Sequence, residues 1–342
     1  MRAMLLRRVG EFVDGAAALD TVELSAPQPA PGEVLIEITC CGVCHTELDE
    51  IEGRTPPPRL PVIPGHQVVG RVVSAPAGSS LVPGDRVGVA WIFSACGHCE
   101  YCREGRENLC PDFRATGRDA HGGYAPFITV PADFVHRLPD GLADTEAAPL
   151  LCAGAVGYRA LSLCGLVDGD GLGLSGFGAS GHLVLQMARA RWPRSPVVVF
   201  TRNAAERALA LELGAAWAGA ADAATPLPLH AIIDTTPAWA PVRAALRNLR
   251  PGGRLVINAI RKEPADAAVM ADIDYPQELW QEKAIQSVAN VTRADVQACL
   301  DLAARAGIRP RVRTYPLAEA NAALADLKFG RHAGAKVLLV RA

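Results

Sequence analysis

The sequence predicts an α/β protein in which a β-rich first half is followed by a doubly wound parallel sheet. Three observations predict this fold class. The chain has 342 residues, a length typical of about two domains. Its first half alternates short apolar runs with Gly and Pro, which is typical of strands and loops. After Pro149, apolar runs alternate with helical stretches, which is typical of βαβ units.

The elements can be predicted in order along the chain. In the first half, apolar runs predict strands at 34–38 and 68–73. The second half is predicted to contain a strand at 171–176, a helix at 182–192, a strand at 197–200, a helix at 204–213, a strand at 231–234, a helix at 242–249 and a strand at 255–258. A helix at 295–306 then leads to strands at 312–315 and 336–340, and this tail is expected to return to the first domain.

Composition and charge exclude several classes of function. Half of the residues are hydrophobic and a fifth are charged, so the chain can bury a core. The formal net charge of −2 does not provide the excess of positive charge that nucleic-acid binding requires, so nucleic acid is not an expected partner. The sequence contains neither an apolar run of about 18 residues nor a secretory h-region, so we expect a cytoplasmic protein without a membrane partner.

Four of the ten cysteines crowd into one short segment, a lobe at about 94–112. Cys96, Cys99, Cys102 and Cys110 have C-x2-C-x2-C-x7-C spacing, which can close a tetrahedral shell around zinc. A closed shell has no free coordination position, so the spacing predicts a structural zinc site. The alternative is four unpaired thiols on a loop, which would be chemical liabilities.

A second set of metal-binding side chains is dispersed along the chain. Cys44, His66 and Cys152 offer two thiolates and one imidazole, which would leave a fourth position open, as in a catalytic zinc site. Each of these signals is weak by itself. A cysteine in an apolar stretch, such as Cys152, is also typical of simple core packing.

A G-x-G-x-x-G pattern follows the first predicted strand of the second half and precedes a helix, the context that dinucleotide binding requires. Its residues are Gly176, Phe177, Gly178, Ala179, Ser180 and Gly181. The acidic residue expected at the end of the next strand is replaced by Thr201, with Arg202 beside it. Because arginine suits a phosphate, this pair predicts a preference for NADP over NAD. The alternative is that Arg202 points to solvent and the protein is indifferent.

With these residues in view, the chain resembles the medium-chain zinc-dependent alcohol dehydrogenases over essentially its whole length, and most closely a bacterial subgroup. The motifs that carry the resemblance lie at 41–46, 64–66, 84–87, 122–125 and 148–154, together with the four-cysteine lobe and the nucleotide loop. The resemblance implies a GroES-like catalytic domain formed by residues 1–153 and 291–342. It also implies an inserted Rossmann cofactor domain at 154–290, with the active site in the cleft between them.

The resemblance implies a zinc-dependent oxidoreductase that interconverts alcohols and aldehydes or ketones by hydride transfer with NAD(P). It implies that Cys44, His66 and Cys152 bind one catalytic zinc, which gives two zinc ions per chain. Thr46 matches the hydroxyl that takes the substrate proton. Trp91 corresponds to an aromatic residue of the substrate pocket, with simple core packing as the alternative.

The resemblance also implies that His45 and Lys336 contact cofactor phosphate. Three positions depart from the family pattern. Gln67 replaces the glutamate usual after the zinc histidine, which removes a negative charge. Glu47 replaces the aspartate that usually supports His66, and its side chain is longer by one methylene. Asp49 stands where many relatives have a proton-relay histidine.

Two other functions compete with this prediction. Zinc-free relatives reduce enones or quinones with NADPH, but they lack the metal ligands that this chain has. A four-cysteine lobe could also belong to a non-enzymatic zinc-binding module, against which the nucleotide loop and the dispersed ligand set argue. We expect a small alcohol or aldehyde as substrate and a homodimer or homotetramer.

Overall fold

A computed structural model describes residues 1–178, 180–330 and 334–341, which divide into two compact units. The first unit comprises Met1–Cys152, Asn290–Ala304 and the described residues of Arg309–Ala342. The second comprises the described residues of Ala153–Ala289 together with Arg305–Ile308. Within the described ranges, no helix has both the length and the apolar character needed to cross a membrane.

The first unit begins with short strands and helices. In chain order they are β1 (Arg2–Leu5), β2 (Asp20–Glu23), β3 (Glu33–Val43), α1 (His45–Ile51), β4 (Gln67–Ser74), β5 (Arg86–Val89), β6 (Ile92–Ser94), α2 (Glu100–Arg103), β7 (Arg114–Ala115), β8 (Phe127–Pro131), β9 (Val135–Arg137) and α3 (Asp144–Pro149). Burial alternates along the first half of β3, as expected where one face of a strand packs on the core. β3 is the hub of this unit, because it pairs antiparallel with both β4 and β8.

The second unit is built of strands that alternate with helices. They are α4 (Ala155–Leu163), β10 (Leu172–Ser175), α5 (Gly181–Arg191), β11 (Val197–Phe200), α6 (Ala204–Glu212), β12 (Trp217–Gly219), β13 (Leu229–Asp234), α7 (Ala240–Asn248), β14 (Leu249–Ile257) and β15 (Ala284–Ser287). In the described part of this unit, the strand order is β12-β11-β10-β13-β14-β15, with parallel pairing throughout. The prediction of a doubly wound parallel sheet is confirmed.

The strand order reverses at β10, which lies between β11 and β13. Ligands of open parallel sheets bind beyond the carboxyl ends of the strands at such a switch point. Both β10 and β11 are buried along their whole length, as expected for strands with helices on both faces. The loop after β10 and the residues after β11 therefore occupy the position where this fold binds nucleotides.

The last elements of the chain are α8 (Arg293–Ala306), β16 (Val312–Pro316), α9 (Ala320–Phe329) and β17 (Ala335–Leu339). β17 pairs parallel with β16 and antiparallel with β3, with Lys336 opposite Val43. The tail thus extends the sheet of the first unit.

The sequence pattern does not reveal β12 and β15. β12 has three residues, too few to show a periodicity, and the four residues of β15 are all exposed. The predicted strand at 255–258 is also longer in the structure, because β14 begins at Leu249 before the Pro-Gly-Gly sequence.

Candidate active site

Cys44 is the N-cap of α1, and Glu47, the third residue of that helix, caps it in return. The backbone N–H of Cys44 donates to Oε2 of Glu47 at 2.7 Å. An acidic residue three positions after the N-cap is the usual way to satisfy this free N–H. Local capping therefore fixes Cys44 and Glu47 relative to one another before any tertiary contact is considered.

Glu47 also contacts His66, which directly precedes β4. Oε1 of Glu47 lies 2.5 Å from Nδ1 of His66, and both side chains are buried. The longer glutamate thus reaches the histidine that an aspartate usually supports. This contact leaves Nε2 as the ring nitrogen available to a metal. In the described part of the chain, Nε2 is buried without a hydrogen-bond partner.

Cys152 completes this cluster from a single π-helical turn, Leu150–Gly154, that follows α3. Its Sγ lies 3.9 Å from Sγ of Cys44. One ligand atom from each of Cys44, His66 and Cys152 lies within 4.8 Å of the other two. Zinc bonds of 2.0–2.3 Å set tetrahedral ligands about 3.3–3.8 Å apart, so this three-residue cluster fits a zinc ion.

The pKa values of the two thiols in the cluster are shifted in opposite directions. The hydrogen bond between them lowers the pKa of the Cys44 thiol well below its usual value and raises the pKa of the Cys152 thiol well above it. Burial raises both pKa values, and the His66 ring helps to lower that of Cys44. A thiolate beside a second thiol and an imidazole is a donor set that favours zinc.

The four cysteines of the lobe also converge. One sulfur from each of Cys96, Cys99, Cys102 and Cys110 lies within 4.8 Å of the others. Backbone N–H groups donate hydrogen bonds to two of these sulfurs. The N–H of Cys99 donates to Sγ of Cys96 at 3.3 Å, and the N–H of Cys96 donates to Sγ of Cys110 at 3.4 Å. Backbone hydrogen bonds from His98 and Cys99 lower the pKa of Cys96 to about 6. The four sulfurs can close a shell, and His98 is exposed outside it.

Three further predicted residues lie beside the Cys44–His66–Cys152 cluster. Oγ1 of Thr46 is 3.5 Å from Sγ of Cys44. The Trp91 ring meets the His66 ring edge-to-face at 6.4 Å, and its buried Nε1 has no hydrogen-bond partner within the described ranges. Gln67 is buried at the start of β4, where its side chain covers Gly42 of β3. Thr46 and Trp91 are therefore both within reach of a molecule bound at the cluster.

Asp49 has a partner that the sequence pattern did not suggest. Its Oδ1 lies 2.5 Å from Nε of Arg54, and the Asp49 side chain is buried while that of Arg54 is one-third exposed. Arg54 also forms an ion pair with Glu52 at 2.6 Å. Arg54 therefore holds the Asp49 carboxylate at the C-terminal end of α1.

Two glycines of the predicted nucleotide loop lie where a side chain would clash. Gly176 has φ +85°, and a Cβ there would lie 2.6 Å from Oγ1 of Thr235. A Cβ at Gly181 would lie 2.8 Å from the carbonyl oxygen of Gly176, whereas nothing lies within 4 Å of a Cβ at Gly178. The loop thus packs tightly at Gly176 and Gly181, whereas Gly178 faces open space, as the G-x-G-x-x-G pattern predicts for close approach to a phosphate.

The other loop residues have simpler positions. Phe177 is buried, and Ser180 is the N-cap of α5, whose N-terminus is a favourable place for phosphate. Ala179 lies outside the described residues.

The residues after β11 form a small polar network. Thr201 is buried, and its hydroxyl donates to the carboxylate of Glu206 in the first turn of α6. Arg202 is exposed. Arg207 donates to the carbonyl oxygens of Thr201 and Arg202 at 2.8 and 3.0 Å. Glu206 and Arg207 were not among the predicted site residues, and an acidic residue in the first helical turn was the available signal for Glu206.

The two residues predicted to contact cofactor phosphate differ in exposure. His45 is the exposed first residue of α1. Lys336 is 3% exposed, donates to the carbonyl oxygen of Gly334 at 2.9 Å and lies 3.6 Å from Oδ2 of Asp326. Its register opposite Val43 sets Lys336 close to the start of α1.

Comparison with known proteins identifies the family of this chain. Residues 30–140 match the family model for the alcohol dehydrogenase GroES-like domain, and residues 179–305 match that for zinc-binding dehydrogenases. The chain is 47% identical over 346 residues to a Mycobacterium tuberculosis protein named "Probable alcohol dehydrogenase AdhA", covering 99% of this chain and 97% of that protein. It is 36% identical over 336 residues to an alcohol dehydrogenase from Geobacillus stearothermophilus, covering 95% and 96%.

A solved structure of a cinnamyl alcohol dehydrogenase from Sorghum bicolor superposes with a TM-score of 0.81, at 29% identity and with 99% and 97% of the two chains covered. The predicted GroES-like and Rossmann-type fold is confirmed by these matches. The competing prediction of a non-enzymatic zinc-binding module is wrong. The chain belongs to the zinc-dependent medium-chain alcohol dehydrogenases, and it is an oxidoreductase that interconverts alcohols and aldehydes or ketones with a nicotinamide cofactor.

Proposed function

We propose that the Cys44–His66–Cys152 cluster binds the catalytic zinc of this dehydrogenase and that the four-cysteine lobe binds a structural zinc, which gives two zinc ions per chain. The convergence of one ligand atom from Cys44, His66 and Cys152 within 4.8 Å carries this proposal. The buried, unpartnered Nε2 of His66 supports it, because a buried polar atom without a partner is costly unless a ligand satisfies it.

The residues of this cluster suit alcohol oxidation and the reverse reaction. Lewis-acid polarisation of a substrate oxygen is the chemistry that zinc supplies at such a site. Glu47 holds His66 through Nδ1, which leaves Nε2 as the ring nitrogen that would bind the metal. Thr46 Oγ1, 3.5 Å from Sγ of Cys44, is the hydroxyl that accepts the substrate proton or returns it. Trp91 provides an apolar wall for the substrate. Hydride exchange belongs to the nicotinamide.

We propose that the cofactor phosphates bind at 176–181, with His45 and Lys336 as further phosphate contacts. The open space at Gly178 and the N-terminus of α5 support this.

We further propose that NADP is preferred over NAD. The exposed Arg202 supports this preference, since the position after β11 lacks a carboxylate of its own. The hydrogen bond from Thr201 to Glu206 opposes it, because it leaves the Thr201 hydroxyl less free to bind phosphate.

We assign residues 1–153 and 291–342 to the GroES-like catalytic domain and 154–290 to the Rossmann domain, which the two compact units support.

We also propose a homodimer or homotetramer. β15 is the last strand of the parallel sheet in the described part of this unit, and its four residues are all exposed, as in edge strands that pair with a second copy. Trp280 and Ile285 are large apolar side chains that are 59% and 41% exposed. We also propose a cytoplasmic location, which the ten cysteines support because all of them are free thiols in the part of the chain that the structure describes.

The test of this function is a steady-state panel of aliphatic and aromatic alcohols and aldehydes with NAD(H) and NADP(H), on protein whose zinc content is measured. We expect turnover in both directions in the wild type. Cys152→Ala should lose turnover, whereas Cys164→Ala, another buried cysteine outside both clusters, should retain it. Full turnover of Cys152→Ala would refute the assigned catalytic site.

A further inference from the structure

Glu206 brings a carboxylate to the end of β11 from the neighbouring helix. Its carboxylate accepts the hydrogen bond of the Thr201 hydroxyl, and Thr201 is the residue that directly follows the strand. Asn203 caps α6 through a hydrogen bond from the N–H of Ala205 at 2.9 Å, which fixes the first turn of the helix. Glu206 is half-buried, so its carboxylate is held in one place next to Thr201.

In dinucleotide-binding folds, an acidic residue at the end of the second strand binds the 2′-hydroxyl of the adenosine ribose and repels a 2′-phosphate. β11 is the second strand of this unit, and Thr201 occupies that place. The chain therefore lacks the acid in its usual sequence position but supplies a carboxylate within one hydrogen bond of it.

We propose that Glu206 is the ribose-recognising carboxylate of this nucleotide site, that it accepts a hydrogen bond from a ribose hydroxyl, and that it disfavours a 2′-phosphate. This inference rests on the proposal that the cofactor binds at 176–181. It does not depend on whether the wild type prefers NADP, because Arg202 attracts a 2′-phosphate and Glu206 opposes it. The balance between these two side chains then sets the preference.

A second cationic side chain near Thr201, that of Arg207, is hydrogen-bonded to the backbone. The guanidinium of Arg207 donates to the carbonyl oxygens of Thr201 and Arg202, which holds it on the backbone. A 2′-phosphate at the end of β11 would therefore meet the Glu206 carboxylate directly. Between partly exposed charges such repulsion is moderate, and we expect it to change relative affinity by about tenfold.

The experiment compares two nucleotides that differ only in the 2′-phosphate, 5′-AMP and adenosine 2′,5′-bisphosphate, by calorimetric titration of the folded, zinc-containing protein. Glu206→Gln keeps the shape of the side chain and removes its charge. We expect this variant to bind the bisphosphate about tenfold more tightly relative to AMP than the wild type does. Glu206→Asp keeps the charge but withdraws it by one methylene, and its ratio should lie between the two.

Glu212→Gln is the matched control, because Glu212 is the last residue of the same helix and about 9 Å further along its axis. Its affinity ratio should stay within about twofold of the wild type. A ratio unchanged in both Glu206 variants would overturn the inference. Arg202→Ala tests the NADP preference separately: an unchanged ratio there refutes the proposed role of Arg202 and leaves the result for Glu206 intact.

Discussion

Oε1 of Glu47 lies 2.5 Å from Nδ1 of His66, and both side chains are buried. The other carboxylate oxygen accepts a hydrogen bond from the backbone N–H of Cys44 at 2.7 Å. One carboxylate therefore positions two of the three candidate zinc ligands. The hydrogen bond at Nδ1 fixes the ring orientation and tautomer that leave Nε2 for the metal.

Glu47→Gln should weaken zinc binding at the Cys44–His66–Cys152 cluster by about 10–100-fold, because the charged partner of His66 is lost. Zinc retained against a competing chelator measures this effect. Glu146→Gln is the matched control, because Glu146 caps α3 through Ala143 in the same way without contacting a candidate ligand. Equal zinc retention in the two variants would contradict the role of Glu47.

The two cysteine clusters should respond differently to loss of one ligand. Cys99→Ala should lower the melting temperature strongly or cause aggregation, because a closed structural zinc contributes directly to folding. Cys152→Ala should leave a folded chain that retains one zinc ion. Thermal unfolding and metal analysis of both variants check this. The assignment of the two sites fails if Cys99→Ala unfolds at the wild-type temperature while Cys152→Ala does not.

One substitution tests both the contribution of the Asp49–Arg54 ion pair to stability and a role of Asp49 as a proton relay. Because Arg54 holds its carboxylate, Asp49→Asn should cost about 1 kcal/mol of unfolding free energy. We expect kcat for alcohol oxidation to show no step near pH 6.5 in either protein, since that step belongs to a relay histidine. A pH profile that changes in Asp49→Asn would instead assign the relay role to Asp49.

His136 should make folding stability depend on pH. Burial, with a smaller contribution from Arg293, lowers the pKa of His136 to about 4 from a usual value near 6.5. As pH falls from 6.5 towards 4, the unfolded chain therefore binds a proton that the folded chain excludes. The unfolding free energy should fall by about 1 kcal/mol per pH unit in this window.

Urea unfolding of the wild type and His136→Gln at pH 7.0 and 5.5 measures this contribution. Zinc release and other groups affect both proteins, so the difference between their pH slopes isolates His136. We expect the shallower slope in His136→Gln, and identical slopes would exclude a buried neutral histidine at this position.

Cofactor preference should be modest. A charge-assisted contact from Arg202 is worth about 1.5–3 kcal/mol, and the Glu206 carboxylate offsets part of it, so we expect kcat/KM to favour NADPH over NADH by about tenfold. Arg202→Ala should reduce this ratio, whereas Arg194→Ala, a surface arginine paired with Asp168, should not. A wild type that favours NADH would refute the preference.

Local patterns in the sequence were enough to predict the parallel sheet, the four-cysteine lobe and the nucleotide loop. The four cysteines lie within one short segment, and the glycines of the loop lie between a strand and a helix, so chain geometry alone brings each set together. The dispersed set was assigned only through resemblance to a family. Cys44 and Cys152 are 108 residues apart, and no local periodicity relates them.

The tertiary structure alone decided which polar side chains from distant parts of the chain meet. The contact between Glu47 and Cys44 is local capping, but the sequence could not show that Glu47 also reaches His66, or that Cys152 lies beside Cys44. Capping and helix periodicity relate residues three or four positions apart. Contacts between a helix and a distant strand or loop depend instead on how the whole core packs, which is a sum over many weak interactions that no short motif encodes.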